Sequence, residues 1–115
     1  MYKIIDALTL TADHETAWLN QYGDSALYKT LFNECAIQVV WEDVTGTLDG
    51  TIEVIGTIGE GALETVIDSV TIDSADNTAD CYLFSITAIQ SAIKLRYTAN
   101  GITSALISAY VSFGK

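Results

Sequence analysis

The sequence is poor in basic side chains and has no long apolar run. It contains 5 Lys and Arg against 15 Asp and Glu in 115 residues, which gives a formal net charge of −10. Nucleic-acid binding requires clustered Lys and Arg, and an anionic membrane surface repels so acidic a chain. No apolar stretch approaches the roughly 20 residues that a membrane-spanning helix needs. We therefore expect neither nucleic acid nor a membrane as a partner.

Carboxylates are abundant in the sequence, but recognisable catalytic arrangements of side chains are not. His14 is the only histidine, and no Gly-x-Ser-x-Gly sequence is present. The glycine cluster at residues 56–61 lacks the following helix and lysine of a phosphate-binding loop. Glu42 and Asp43 are adjacent, so on a strand they point to opposite faces. Catalysis needs a base, a nucleophile or a metal that other groups orient, so we expect a non-enzyme without a cofactor.

Two cysteines and the first residues bear on the compartment. Cys35 and Cys81 are 46 positions apart, a spacing that matches no zinc or redox motif. Buried thiols are the leading interpretation, with a disulfide or a metal site as alternatives. The first six residues reach Asp6 without an apolar stretch, so no secretion signal is predicted. We expect synthesis in a reducing cytoplasm.

The dominant hydrophobic period is two residues. Cys35, Ile37, Val39 and Trp41 share one face of a predicted strand, and the same alternation recurs at residues 51–58 and 91–98. Such alternation is typical of strands with one buried and one wet face. Asp49-Gly50 and Asn100-Gly101 lie between strands and predict hairpins, because both central residues of such turns need a positive φ.

The pattern predicts one all-β domain over residues 1–115. A chain of this length, of which 50% is hydrophobic, can form a single core. Eight short strands favour an antiparallel β-sandwich of the jelly-roll type. The predicted strands are 3–11, 25–32, 35–44, 51–58, 65–72, 80–87, 92–98 and 102–112. Residues 11–23 are the least patterned, and fit a helical turn capped by Asp13, a loop, or an arm that crosses the sandwich.

Two groups of side chains could bind a ligand. Asp73, Asp76, Asn77 and Asp80 offer oxygen ligands within eight residues, which makes them a weak calcium candidate. Their spacing is not that of an EF-hand, and a plain acidic turn explains the same residues. Trp18, Tyr22 and Tyr28 are the possible interaction aromatics, able to stack on a sugar or on a neighbouring subunit if exposed. Trp41 is expected in the core.

Two segments resemble small β-sandwich proteins of tailed bacteriophages. They are residues 35–52, which contain CAIQVVW and GTLDGTI, and residues 93–110, IKLRYTANGITSALISAY. The resemblance implies a jelly-roll building block of the virion: a capsid decoration, head-fibre or tail component. It implies the major capsid protein as partner, self-association into a homo-oligomer, and no catalytic residues.

Surface composition agrees with such a role. Only 17% of the residues are charged, which is less than an exposed monomer commonly carries, and hydroxyl residues such as Thr98, Ser108 and Ser112 occupy strand positions instead. A net charge of −10 suits a basic partner surface. The competing hypothesis is a non-catalytic carbohydrate-binding module, which would present solvent-facing aromatics.

Overall fold

The computed structural model describes residues 2–10, 12–20, 22, 32–46, 49–58, 64–73, 80–87, 91–99 and 103–113. Within them the chain forms eight strands and no helix. The strands are β1 Tyr2–Leu10, β2 His14–Glu15, β3 Cys35–Gly46, β4 Asp49–Thr57, β5 Thr65–Asp73, β6 Asp80–Ile86, β7 Ala92–Ala99 and β8 Thr103–Phe113. The predicted all-β sandwich is confirmed. The described residues include no helix long and apolar enough to span a membrane.

The strands form two antiparallel sheets of four. The first sheet has the order β1-β8-β3-β6, and the second has the order β2-β7-β4-β5. The first strand pairs with the last, the second with the seventh, the third with the sixth, and the fourth with the fifth. This is the pairing of one long hairpin ribbon, which the β3–β8 and β4–β7 contacts roll into a sandwich. The order is that of a jelly roll, as the sequence predicts.

The core lies between the two sheets and comes from the alternating positions. Ile37, Val39 and Phe84 of the first sheet and Val54 and Ile93 of the second are fully buried. These side chains belong to one continuous hydrophobic cluster. Trp41 is 4% exposed and belongs to the same cluster, so its predicted core position is confirmed. Burial of one face of each sheet explains the period of two in the sequence.

The two predicted hairpins are wrong. β3 and β4 lie in different sheets, and so do β7 and β8, so both connections cross from one sheet to the other. Gly50 is not a turn residue but lies inside β4, opposite Ile72 on one side and Ala99 on the other. Asn100 and Gly101 lie outside the described residues. The alternation in β4 also ends earlier than predicted, since the strand stops at Thr57 and Ile58 is 71% exposed.

Residues 12–20 form an extended strap along β7. The predicted helical turn is wrong, and the arm that these residues form follows the edge of the second sheet instead of crossing the sandwich. Strand β2 pairs with β7, and Leu19 forms an isolated bridge to Ile93. Asp13 caps no helix; its Oδ1 accepts a hydrogen bond of 2.7 Å from the Ala99 amide. The predicted strand 25–32 lies outside the described residues apart from Phe32, which is buried in the core.

Candidate interaction surfaces

The outer face of the first sheet has nine neighbouring uncharged positions, three on each of the strands β3, β6 and β8. Because the odd positions of β3 point inward, its even positions point outward, and cross-strand register adds their partners on β6 and β8. Leu83 is 61% exposed on this face. We call these nine side chains the neutral face: Ala36, Gln38, Val40, Cys81, Leu83, Ser85, Ser108, Tyr110 and Ser112. On a chain with a net charge of −10, such a face is a candidate for protein contact.

A paired lysine borders the neutral face. Lys3 lies opposite Tyr110, and its ammonium is 5.5 Å from the centroid of that ring. The same ammonium forms an ion pair of 3.2 Å with Asp6. The aromatic ring and the carboxylate both hold the cation at the margin. The centre of the face therefore remains uncharged.

The second sheet presents a contrasting surface where the strap covers β7. Thr16 donates its amide to the carbonyl of Leu95 at 2.9 Å, and the Leu95 amide donates to the Thr16 hydroxyl at 3.0 Å. Leu19 and Ile93 exchange two backbone hydrogen bonds of 2.8 and 2.9 Å. These bonds continue the sheet beyond the two residues of β2. The strap therefore acts as a longer edge strand that covers β7.

Charged side chains connect the strap to the sheet beneath it. The charge cluster contains Glu15 of the strap, Glu53, Glu64, Lys94 and Arg96. Lys94 Nζ lies 3.1 Å from Glu15 Oε1 and also contacts Glu64. Arg96 Nη2 lies 3.0 Å from Glu15 Oε1 and 2.8 Å from Glu64 Oε1, while Glu53 is more distant at 3.9 Å. Two bases thus share two carboxylates, and they hold Glu15 of the strap to the segment before β5.

The ion pairs shift the pKa values of Glu15, Glu64 and Lys94. A hydrogen bond from Lys94 lowers the pKa of Glu15 and that of Glu64 below their ordinary value, and Arg96 acts in the same direction. Burial alone would lower the pKa of Lys94, but hydrogen bonds to Glu64 and Glu15 outweigh it, and the pKa is raised. Glu15, Glu64 and Lys94 are therefore charged near neutral pH, which favours ion pairing over proton transfer.

Of the three predicted interaction aromatics, two lie within the described residues. Trp18 is half-buried, and the Lys94 ammonium lies 4.6 Å from its ring centroid in a cation–π contact. One side of this ring is therefore occupied by the protein itself. Tyr22 is 58% exposed, and its amide donates to Asn20 Oδ1 at 2.8 Å. Tyr28 lies outside the described residues.

The predicted calcium ligands are only partly visible. Asp73 ends β5 and Asp80 begins β6, so the backbone places them on strands of different sheets. Asp76 and Asn77 lie outside the described residues. Among the residues that the structure describes, no group of three or more His, Cys, Asp or Glu side chains could hold a metal ion. The calcium candidate therefore stays a prediction.

The two cysteines point to opposite faces of the first sheet. Cys35 is buried, and burial raises the pKa of its thiol to about 12. Cys81 is exposed on the neutral face, so the prediction of buried thiols is correct for Cys35 and wrong for Cys81. The two do not form a disulfide with each other. Alternation along β6 explains why Cys81 is exposed. Phe84 and Ile86 occupy even positions that point into the core, whereas Cys81 occupies an odd position that points outward.

His14 lies where the strap meets the edge of the first sheet. Its backbone is opposite Tyr97, and its side chain borders a shallow cleft together with Ile4, Ile5 and Asp6. The alternation at residues 91–98 puts Lys94 and Arg96 on the outward face of β7, but it does not indicate their partners. Those partners are 30 to 81 residues away in the chain, and only the folded strap brings them together.

The sequence matches no known protein family, and no curated protein matches it.

Proposed function

We propose that this chain is a structural subunit of a bacteriophage virion, an auxiliary or decoration protein on the capsid, or else a head-fibre or tail component. Its partners are other virion proteins, in particular the major capsid protein, and further copies of itself. It works through protein–protein contacts, and no catalytic residue is assigned. It is assembled in the host cytoplasm and resides in the virion.

The observation that carries the proposal is the neutral face. A protein that functions alone in water gains from charges spread over its surface, which keep molecules apart. Here nine outward positions on three adjacent strands are uncharged, although the chain carries 15 carboxylates. A face of this kind can be covered by a neighbour without burying an unpaired charge. The jelly-roll order supports the same reading, because the two segments that resemble phage proteins imply this fold.

The charge of the remaining surface supports attachment to a basic partner. With a net charge of −10, the protein would be attracted to a capsid surface that is rich in Lys and Arg. Such attraction raises the rate of encounter more than it raises affinity. Attachment would then combine long-range attraction by the acidic regions with close contact by uncharged ones.

Binding to capsids that lack the protein tests this proposal. Capsids assembled from a phage whose copy of this reading frame is deleted are mixed with purified protein at near-physiological salt and then sedimented. We expect saturable cosedimentation with the deficient capsids, and none above background with complete capsids, whose sites are already filled. Protein that stays in the supernatant with both kinds of capsid contradicts a decoration role.

The carbohydrate-binding alternative makes a different prediction. It needs an exposed aromatic platform, and of the described candidates Tyr22 is exposed while Trp18 has Lys94 against its ring. A glycan array separates the two proposals. Binding to a glycan that the Tyr22→Ala variant loses would favour the sugar-binding function.

A further inference from the structure

Strand β6 is an edge strand whose outer side is paired with no described strand. In the order β1-β8-β3-β6 it pairs with β3 on one side only. An edge strand exposes a row of backbone N–H and C=O groups that can pair with another chain. Proteins usually protect such edges by shortness, by bulges, by charged side chains or by proline. The four edges of the two sheets that the described strands form differ in that protection.

Three of the four edges are protected. Strand β1 has two register shifts against β8 and an exposed ion pair between Lys3 and Asp6. Strand β2 has only two residues, one of them Glu15 of the charge cluster. Strand β5 has a register shift opposite Val54 and Ile55, and it includes Asp68. A second chain could not pair with any of these edges without a bulge or a charge in the joint.

Among the described residues, the β6 edge has none of these protections at residues 81–86, although the charged Asp80 begins the strand. Its pairing with β3 runs through seven consecutive residue pairs without a register shift. The six residues from Cys81 to Ile86 are uncharged, and the chain contains no proline. Leu83 is 61% exposed on the outer face and Tyr82 is 37% exposed on the inner side, where its ring packs edge-on against Phe84 at 4.8 Å. Apolar area is thus available on both faces of a regular, unprotected edge.

We propose that two copies of this chain associate through β6, each strand pairing antiparallel with its counterpart so that two four-stranded sheets join into one. The uncharged residues 81–86 and the continuity of the neutral face favour a second copy as the occupant. Between Cys81 and Ile86 there is no charge to select an acidic or a basic strand, whereas an identical strand places uncharged side chains opposite uncharged side chains. Elsewhere two molecules of net charge −10 repel each other. The joint also continues the neutral face across both subunits.

Pairing over the full length of β6 sets the register between the two copies. If all seven residues Asp80–Ile86 pair antiparallel with their counterparts, Leu83 in the middle lies opposite Leu83 of the second copy. Cys81 then lies opposite Ser85, and the two Cys81 residues are four positions apart, or roughly 13 Å. A disulfide requires Cα atoms within about 7 Å. The wild-type thiols are therefore too far apart to crosslink, whereas cysteines at position 83 are adjacent.

Sedimentation velocity with matched variants tests the association. Wild-type protein at high micromolar concentration should sediment at twice the 12.4 kDa of one chain. Leu83→Lys should sediment as the monomer, because two ammonium groups would face each other across the joint. Val66→Lys makes the same charge change at a 47% exposed apolar position on β5 and should remain dimeric. Circular dichroism and the thermal midpoint verify that both variants fold.

Crosslinking gives an independent readout of the register. In a Cys81→Ser background, Leu83→Cys should form a disulfide-linked dimer on mild oxidation, and Val66→Cys should not. Buried Cys35, with its raised pKa, should not react in either. A monomeric wild-type protein, a Leu83→Lys variant that dimerises like wild type, or equal crosslinking from positions 66 and 83 would each overturn the proposal. Neither experiment uses capsids, so a failure of the β6 association can be distinguished from a failure of the proposed virion role.

Discussion

The space where a side chain would start at Gly50 is already occupied. A Cβ atom there would lie 2.5 Å from the Thr98 carbonyl oxygen and 2.8 Å from Cε1 of Tyr97. The Tyr97 ring is buried, so it has little freedom to move aside. Gly50 also pairs with Ile72 and with Ala99, so its own backbone is fixed from both sides. The glycine thus allows the Tyr97 ring to lie over β4, a role that differs from that of a turn residue.

Replacement of this glycine by alanine should destabilise the fold. We expect Gly50→Ala to lower the free energy of unfolding by about 1–3 kcal/mol, the usual cost of forcing extra volume into a packed site. Urea denaturation followed by tryptophan fluorescence measures the change. Thr51→Ala, one residue along the same strand at a half-exposed position, is the control and should cost less. Equal stability of the two variants would contradict the packing role assigned to Gly50.

Lys94 shows how a local pattern can mislead about a single residue. Alternation with Ile93 and Leu95 places it on the outward face, and that placement is correct. It is nevertheless only 7% exposed, because Glu15 of the strap and Glu64 of the segment before β5 cover it. Nothing in the neighbouring sequence reveals this cover, since Glu15 is 79 positions away. Burial of an ammonium group is tolerated because two carboxylates and the Trp18 ring surround it.

At the level of the element, the strap depends on carboxylates that must remain ionised. Glu15 and Glu64 both have pKa values lowered below the ordinary 4.5, chiefly through the hydrogen bond from Lys94. A group whose pKa is depressed by folding contributes stability above its unfolded-state pKa. It loses that contribution as the pH falls through its folded-state pKa. Acid should therefore weaken the attachment of the strap to β7.

We expect the free energy of unfolding to fall as the pH drops from about 6 to about 3, because the unfolded chain takes up more protons over this range. The double variant Glu15→Gln with Glu64→Gln should show a shallower fall. Urea midpoints at a series of pH values measure the slope. Amide hydrogen exchange at Thr16 and Ile93, whose N–H groups bond across the strap, reports the local effect.

A control variant separates the charge cluster from general acidity. Glu34→Gln with Asp68→Asn also removes two carboxylates, from positions that lie outside the cluster. It should keep the wild-type slope and the wild-type exchange at Thr16 and Ile93. If both double variants behave alike, the pH dependence comes from the total charge, and the cluster has no special role in holding the strap.

Elements were predictable wherever one face is buried and the other is wet. Residues 35–44 and 92–98 were predicted as strands, and β3 and β7 contain them. Connections were not predictable, because Asp-Gly and Asn-Gly indicate a reversal of the chain without indicating which sheet it enters. In a jelly roll the third and seventh connections change sheets, so those signals predicted hairpins that do not form. The strap was ambiguous because its bonds are mainly to backbone groups of β7.

The sequence alone could indicate neither the place of the neutral face nor the unprotected β6 edge. The low charged fraction indicated a surface suited to neighbours, but it could not locate that surface. Location required the register, which aligns Gln38 with Leu83 on one side and with Tyr110 on the other. The unprotected β6 edge required the sheet order as well. Both follow from pairings between residues that are tens of positions apart.

For the whole molecule, the net charge affects the two contacts in opposite directions. Two copies of charge −10 repel, so β6 pairing takes place against long-range repulsion. A basic capsid surface attracts the same charge. Salt screens both, since the Debye length falls from about 30 Å at 0.01 M to about 10 Å at 0.1 M ionic strength. The sign of the salt dependence therefore distinguishes an uncharged joint from an ionic one.

We expect the dissociation constant of the β6 dimer to fall several-fold when NaCl is raised from about 20 mM to about 300 mM. Salt screens the repulsion between the two copies, and residues 81–86 contribute no ion pair that salt could weaken. Sedimentation equilibrium at several salt concentrations measures the dissociation constant. Val66→Lys makes each copy less negative, so this variant should dimerise more tightly than wild type at low salt and equally tightly at high salt. Capsid binding should weaken over the same range. A dimer that dissociates as salt rises must be held by ion pairs, and its interface must then lie away from β6.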